Sequence, residues 1–131
     1  MTVSITISVN GQLVRQINNV PWQANMSGQN AMERAYGVTG YSFQLQYFGS
    51  QLGYEVVSID SIAMQAGTDG FVFWQFSVNG VLAGQGIDET FLNDGDQIEW
   101  NYTLYTEATH GTSRYAAIKQ QVSGKVSSNL K

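Results

Sequence analysis

The densest group of side chains that could do chemistry is acidic and lies in the last third of the chain. On the strand predicted there, Asp96 and Glu99 are three positions apart, so their carboxylates point to opposite faces. Asp94-Gly95 is a turn signal in its own right. We interpret the cluster as turn chemistry and assign no metal site, with a cation at Asp94 and Asp96 as the alternative, since Ca²⁺ takes about six to eight oxygen ligands. The cluster contains Asp88, Glu89, Asp94, Asp96 and Glu99.

The single histidine, His110, precedes Gly111 in a predicted loop. An imidazole could ligate cobalt there or titrate near about pH 6.5, but a lone loop histidine is usually only solvated. The sequence has no cysteine, which excludes disulfides, thiolate catalysis and Cys-ligated zinc. No spacing of Ser, His and Asp marks a nucleophile with its base. The sequence therefore predicts a protein that is not an enzyme.

Aromatic residues are the strongest functional signal. Seven Tyr, six Phe and three Trp make up 12% of the chain, and an apolar ring with a polar tip suits a binding surface. Because one helix can cover only one face of a sheet, rings on the other face are predicted to be exposed. The rings predicted to contact a ligand are Trp22, Tyr41, Tyr47, Phe71, Trp74, Tyr102 and Tyr105. The side-chain amides predicted to add hydrogen bonds are Gln75, Asn79 and Gln85.

Length and composition place these residues on one folded domain. The chain has 131 residues, of which 43% are hydrophobic and 12% are charged. A domain near this size buries roughly two-thirds of its unfolded surface, so a real core is expected. No window approaches the ~18 consecutive apolar residues of a membrane span. Disordered, collagen-like and membrane-spanning classes are therefore excluded.

The first half of the chain predicts a hairpin followed by a helix. Residues 3–9 alternate apolar and polar, Asn10-Gly11 is a strong type I′ turn signal, and a return strand follows over 12–20. Residues 27–36 have helical spacing. Ser27 is the predicted N-cap and Gly37 the predicted residue just beyond the helix.

A second β region fills residues 41–104. Strands are predicted over 41–47, around Val57 and Ile59, over 71–78 and over 98–104, with an Asn79-Gly80 hairpin turn. Large residues on both faces of 71–78 predict a central strand that is covered on both sides. The predicted fold class is α+β, a β-grasp-like, mostly antiparallel sheet with one helix across one face. Residues 1–105 form this domain, and residues 106–131 are an extension, either a flexible tail or a short docked helix over 114–126.

Residues 74–102 carry a resemblance to a known family. They read as an aromatic strand, V-N-G, a small residue and a glycine, and then L-x-D-G-D-x-I-E-W-x-Y. This pattern resembles the closing segment of a bacterial domain family of unknown function, related to the C-terminal β-domain of transcobalamin and intrinsic factor. The order of hairpin, helix and strands extends the resemblance to about residues 3–105. One departure is the helix, SGQNAMERAY, which in the family usually opens with Thr and a Leu-rich run.

The resemblance implies a β-grasp domain that binds a soluble ligand, with cobalamin as the implied cofactor. In the vitamin B12 carriers this domain closes over the corrin as one half of a sandwich, and a helical barrel forms the other half. These residues hold no such barrel. Tight corrin binding would therefore need a second copy of the chain or a partner, because such a ligand is held by burial on both sides.

The distribution of charged residues along the chain limits the kinds of partner that it could bind. All ten acidic residues lie before residue 114 together with only two arginines, while four cations lie in residues 114–131. An acidic body disfavours nucleic acid. The start of the chain has no signal-peptide pattern, and the polar, cysteine-free composition favours an extracellular or cell-surface module over a cytoplasmic one.

Two functions remain open from the sequence. The first is a non-enzymatic module that binds a bulky flat molecule, corrinoid-like, or a glycan through the aromatic face. The alternative is a structural or interaction protein, homo-oligomeric or with another protein as partner. It would use the same face and the Thr2–Val9 strand as an exposed sheet edge.

Overall fold

The chain begins with the hairpin and the helix that the sequence pattern predicts, and a second β region follows. The computed structural model describes residues 1–39, 42–67 and 70–129. The elements are β1 (Thr2–Val9), β2 (Gln12–Pro21), α1 (Gly28–Thr39), β3 (Phe43–Tyr47), β4 (Tyr54–Ile59), β5 (Ile62–Ala63), β6 (Gln65–Gly67), β7 (Gly70–Val78), β8 (Val81–Leu82), β9 (Gln97–Leu104), α2 (Glu107–His110) and α3 (Arg114–Asn129).

Both Asn-Gly turns have the predicted geometry. Asn10 and Gly11 have φ of 51° and 82°, and Asn79 and Gly80 have 52° and 82°. These left-handed pairs are what a type I′ turn requires, and its twist matches that of the flanking strands. The turns join β1 to β2 and β7 to β8.

The strands form two sheets. The main sheet has the order β2-β1-β9-β7-β6, with β8 paired to β7, and β1 and β9 run parallel while the other pairs are antiparallel. The second sheet has the order β3-β4-β5 and is antiparallel. The predicted α+β class with a mostly antiparallel sheet is confirmed.

Helix α1 covers one face of the main sheet. The face presents buried aliphatic residues of β1 and the stacked rings of Phe76 and Trp100, whose centroids are 4.6 Å apart. The Trp100 Nε1–H points at the Met32 sulfur, 3.2 Å away. Met32 and Ala35 of α1 are fully buried. This apolar contact, predicted from the helical spacing, forms the main core.

Helix α3 covers part of the opposite face. Tyr115 and Ile118 are 0% and 1% exposed, and the Tyr115 ring lies 4.5 Å from Phe73. The first turns of α3, around Tyr115 and Ile118, are therefore docked on this face of the sheet. With α1 below and α3 above, β7 is covered on both sides, as predicted.

Three expectations are corrected. Of the strand predicted over 41–47, the structure shows β3 (Phe43–Tyr47), which belongs to the second sheet because among the described residues it pairs with β4 and with no strand of the main sheet. Thr2–Val9 is not a sheet edge, because β2 and β9 pair with it on either side. Gly37 does not end the helix, because α1 continues to Thr39. No helix among the described residues has the length and apolar character to span a membrane.

Candidate ligand-binding site

A cleft of about 730 Å³ lies between α1 and the second sheet. Its volume falls in the ~300–1,000 Å³ range of small-molecule sites. One wall is the helix and the other combines the start of β3, the end of β4 and β5. The lining residues are Glu33, Tyr36, Ser42, Phe43, Gln44, Ser58, Ser61 and Ala63.

Helix α1 brings a carboxylate and a ring to the cleft. Glu33 and Tyr36 are three positions apart, so they lie on the same face of the helix. The Tyr36 side chain is 53% exposed, so its ring is available to a ligand. A reciprocal cap fixes the start of the helix: the Asn30 N–H donates to the Ser27 hydroxyl (3.1 Å), and the Ser27 N–H donates to Asn30 Oδ1 (3.1 Å). The predicted N-cap is thus confirmed.

The opposite wall contains a strained turn. Asp60 and Ser61 join β4 to β5 with φ of 48° and 71°, although neither residue is glycine. Left-handed backbone at such a residue costs about 1–2 kcal/mol. Asp60 accounts for its own conformation, because its Oδ1 accepts from the Ser42 N–H (3.1 Å) and its Oδ2 pairs with Arg15 (3.0 Å). Ser61 has no such hydrogen bond among the described residues, and its side chain lines the cleft. Strain of this kind is commonly retained at functional sites.

Two ring donors hold β5 in place. The Trp74 Nε1–H donates to the Ile62 carbonyl (2.8 Å), and the Tyr102 hydroxyl donates to the Ala63 carbonyl (2.7 Å). Burial raises the pKa of Tyr102, so this hydroxyl keeps its proton at neutral pH. Trp74 is fully buried. These two predicted ligand contacts therefore act behind the wall of the cleft, as positioning residues.

The cleft has little charge. Glu33 is its one charged lining residue in the described part of the chain, and the remaining polar groups are hydroxyls and an amide. Tyr36 and Phe43 supply aromatic surface. The site therefore favours a neutral or cationic ligand with an apolar face over an anion.

The predicted exposed aromatic face is wrong for its central residues. Phe71 is 2% exposed and Tyr105 is 8% exposed. The rings of Phe71 and Phe73 stack at 5.2 Å, and Tyr105 and His110 pack against them. Helices α2 and α3 supply the cover that a sheet with a single helix would lack.

Three other residues that were predicted to contact a ligand lie away from the cleft. The Trp22 indole is half-buried and its N–H donates to the Leu92 carbonyl (2.8 Å), so it is not an exposed anchor. Asn79 Oδ1 accepts from the Gln97 N–H (2.9 Å) and closes its own hairpin. Gln85 is exposed in the loop after β8. None of these three residues lines the cleft.

The remaining predicted residues are separate from one another. Tyr47 is exposed at the end of β3, with its ring 5.0 Å from that of Tyr54. Gln75 is half-buried on the opposite face of the main sheet, with its Oε1 2.7 Å from His110 Nε2. Tyr41 lies outside the described residues. The predicted residues are therefore not brought together into one site.

Three carboxylates of the acidic cluster accept hydrogen bonds from backbone N–H groups. Asp94 Oδ1 accepts from the Thr2 N–H (3.0 Å), Asp96 Oδ2 from the Asn93 N–H (2.8 Å) and Asp88 Oδ1 from the Tyr54 N–H (2.9 Å). Across the described residues, no three His, Cys, Asp or Glu side chains lie close enough to hold a metal ion. Only the Asp96 contact closes a local turn, whereas Asp94 and Asp88 accept from residues far away in the sequence. The interpretation that the cluster holds no metal stays a prediction.

Sequence reasoning missed the residues that line the cleft. Neither Tyr36 nor Phe43 is among the predicted ligand contacts, whereas the structure leaves Tyr36 exposed and Phe43 half-buried beside the cleft. The signal that was available is Asp60-Ser61, a polar pair between two Ile-containing strands, which indicates a tight turn without the usual glycine. Helix and turn are far apart along the chain, so their meeting could not be derived from spacing.

Comparison with solved structures supports the fold. Haptocorrin, crystallised in complex with Cbi, superposes with a TM-score of 0.67 at 16% identity, over 81% of this chain and 25% of that one. A candidate metal-binding protein from Ruminococcus gnavus ATCC 29149 superposes with a TM-score of 0.56 at 12% identity, over 79% of this chain and 97% of that one. This chain thus spans about a quarter of the haptocorrin chain.

The sequence comparisons agree with the family indicated by residues 74–102. The chain has no significant match among curated proteins. A family model matches residues 29–104, more than half of the chain, from the body of α1 to the end of β9. This protein therefore belongs to the family described as Domain of unknown function (DUF4430), and its fold is that of the transcobalamin-related β-domains.

Proposed function

We propose that this chain is a non-enzymatic binding module that holds a flat, partly apolar small molecule in the cleft between α1 and the second sheet. The observation that carries the proposal is the cleft itself, with the exposed Tyr36 ring facing a wall of hydroxyls. Aromatic rings supply contact area, and a few polar groups fix the orientation of the ligand. Strain at Ser61 supports the same site.

A corrinoid is the first ligand to test. The family relationship to the vitamin B12 carriers and the fold shared with haptocorrin support this class. The cleft is open on one side, so we expect modest affinity from a single copy. Micromolar binding needs about −8 kcal/mol, and each stacked ring contributes about 0.5–1.5 kcal/mol beyond its burial.

Titration of the full chain with hydroxocobalamin, followed by calorimetry, tests the proposal. Tyr36→Ala should weaken binding at least tenfold. Tyr47→Ala is the matched control, because both rings are 53% exposed and only Tyr36 lines the cleft. No heat up to millimolar ligand contradicts the corrinoid, and binding that is equally sensitive to both variants contradicts the cleft.

Ser61→Gly gives a second test with two readouts of opposite sign. Glycine removes the penalty of left-handed backbone, so the free energy of unfolding should rise by about 0.5–1 kcal/mol. Loss of the hydroxyl should weaken ligand binding at the same time. Higher stability with unchanged affinity would show that Ser61 is not part of the binding site.

The alternative of an interaction protein relied on an exposed edge at β1 and on exposed aromatic rings, and the structure does not expose β1, Phe71 or Tyr105. β1 lies inside the main sheet, and the rings of Phe71 and Tyr105 are covered within the chain. The true edge, β2, is interrupted by two register shifts and ends at Pro21. Irregularities of this kind discourage pairing with another strand.

A further inference from the structure

A second concave surface lies on the main sheet, on the face opposite α1. It is a groove of about 310 Å³ that crosses β1, β9 and β7 beside the part of this face that α2 and α3 cover. It shares no lining residue with the cleft at α1. The proposed function makes no use of it.

Six polar side chains form a regular array in this groove. The strand register aligns Thr6 with Glu99 and Ser77 in one row, and Ser8 with Asn101 and Gln75 in the next. Neighbouring strands are about 4.8 Å apart and alternate residues along a strand about 7 Å apart. The array thus covers roughly 10 Å by 7 Å. Asn is a poor strand former, so local propensity does not explain Asn101 on β9, the middle strand of the main sheet. Such departures are expected at functional sites.

Hydrogen bonds to their oxygen atoms fix both amides, so that their NH₂ groups remain available. The Gly11 N–H donates to Asn101 Oδ1 (3.0 Å), which leaves Nδ2 as the free donor. The Thr106 N–H donates to His110 Nδ1 (3.0 Å), so the neutral imidazole carries its proton on Nε2. That proton is donated to Gln75 Oε1 (2.7 Å), which leaves the Gln75 Nε2 as a donor as well.

Of the four other members of the array, Thr6 donates from its hydroxyl to the Ile98 carbonyl (3.5 Å). Across residues 1–39, 42–67 and 70–129, the side chains of Ser8, Ser77 and Glu99 make no hydrogen bond. All three are half-buried or buried, and Ser77 is only 5% exposed. Their side-chain oxygens are not among the buried polar atoms that lack a partner, so these oxygens stay open to solvent and to a ligand in the groove. Leu13, paired with Ser8 and 56% exposed, adds an apolar wall at one end.

We infer that this groove binds a neutral polyhydroxylated ligand of the saccharide class. Two oriented amide donors, hydroxyls that both donate and accept, and one carboxylate acceptor match a ring with several hydroxyls, and Leu13 can pack against its C–H face. Glu99 is the one charged residue lining the groove in the described part of the chain, and it disfavours acidic sugars. A site built to hydrogen-bond hydroxyls also rejects the analogue that lacks them.

The test is a ¹⁵N–¹H NMR titration of the full chain with glucose, galactose, mannose, N-acetylglucosamine and their disaccharides, each to about 100 mM, since millimolar dissociation constants are expected for a shallow site. At least one sugar should give saturable shifts centred on residues 6–8, 75–77 and 99–101. Tetrahydropyran, the ring without hydroxyls, should give none at the same concentration.

Matched variants separate the groove from the rest of the face. Ser8→Ala combined with Ser77→Ala should weaken binding at least fivefold. Ser4→Ala, on the same strand and face but outside the groove, should leave it unchanged. Glu99→Gln is the single-site alternative should the double variant fail to fold, and it should also weaken binding.

The inference is overturned if no sugar in the panel gives saturable shifts. It is also overturned if the shifts map to Tyr36 and the cleft, or if Ser4→Ala weakens binding as much as the double variant. Hydroxocobalamin binding at the cleft is a separate measurement, so the failure of either proposal is distinguishable from the failure of the other.

Discussion

Two turns with left-handed backbone differ in whether the sequence of the turn itself explains the conformation. Gly80 has φ of 82° in a predicted turn, and Ser61 has φ of 71° in a turn that no glycine announces. The first conformation is intrinsic to glycine and was predictable from the Asn-Gly pair. The second depends on Asp60, which is tied to the Ser42 N–H across the sheet. A dipeptide signal could not reveal that contact.

Two glycines should respond to alanine with opposite signs. Gly80→Ala places a Cβ at positive φ and should lower the free energy of unfolding by about 1 kcal/mol. Gly37 lies inside α1 without positive φ, and a Cβ there meets nothing within 4 Å. Gly37→Ala should therefore raise stability by about 0.5–1 kcal/mol. Chemical denaturation of both variants checks the pair, and a shift of the same sign in both would contradict this account.

Tyr115 satisfies a backbone donor at the open edge of β7. Its hydroxyl lies 2.7 Å from the Phe76 nitrogen, and the residue is fully buried. Tyr115→Phe keeps the ring packing but leaves that N–H without a partner, so it should cost about 1–3 kcal/mol of unfolding free energy. Tyr47→Phe, which changes an exposed hydroxyl, is the control and should be neutral. Equal melting temperatures for the two variants would contradict the assigned role.

At the scale of elements, a buried ion pair joins α3 to the second sheet. Arg114 contacts the Glu55 carboxylate and the Leu52 carbonyl, and the two charged side chains are 4% and 1% exposed. Burial raises the pKa of Glu55 to about 7, although Arg114 acts to lower it. Among the described residues Glu55 Oε1 has no hydrogen-bond partner, which is consistent with a carboxyl that is poorly compensated as an anion.

This pair predicts a pH dependence of stability. The folded state holds the Glu55 proton up to about pH 7, whereas an unfolded carboxyl releases it near 4.5. Stability from this group is therefore full below pH 4.5 and declines as the pH rises towards 7, by about 3 kcal/mol in total. Glu55→Gln should remove the decline. Urea unfolding of both proteins from pH 4 to 8 measures it, and a constant difference between them would refute the assignment. His110 is present in both proteins, so its own titration cancels.

How far elements could be predicted depended on whether the relevant contacts were local. Alternation in β1 and β9 and the helical spacing of α1 are local patterns, and these elements were predicted within a few residues. The separation of β3–β5 into a second sheet was not, because β3 has the same alternation as a strand of the main sheet. Pairing partners of such strands are set by long-range packing. The cleft between α1 and that sheet could not be predicted from the sequence for the same reason.

For the whole molecule, the main error concerned what covers the second face of the sheet. Counting one helix against two faces led to the expectation of exposed rings at Phe71 and Tyr105. In the described part of the C-terminal segment, Tyr115, Ile118 and Val122 supply most of the apolar cover. So few apolar positions in a Ser-rich segment could not be distinguished from a tail. The part of that face that the helices leave uncovered is polar and forms the groove across β1, β9 and β7.

The last prediction tests whether residues 1–105 are a domain without the rest. The family match ends at residue 104, yet the buried Phe73 ring packs against His110 and Tyr115, which lie beyond it. A chain ending at residue 105 should therefore expose apolar rings, bind the dye ANS, and self-associate in a concentration-dependent way.

A chain ending at Val122 is the control. It keeps Tyr115 and Ile118 and should remain well folded and free of dye. Sedimentation velocity and ANS fluorescence on both chains provide the measurement. Should the 1–105 chain match the control in unfolding free energy, dye binding and mass, α3 would be an appendage to the family domain. Lower unfolding free energy, ANS binding and self-association of the 1–105 chain would instead make α3 part of the core that keeps β7 covered on both sides.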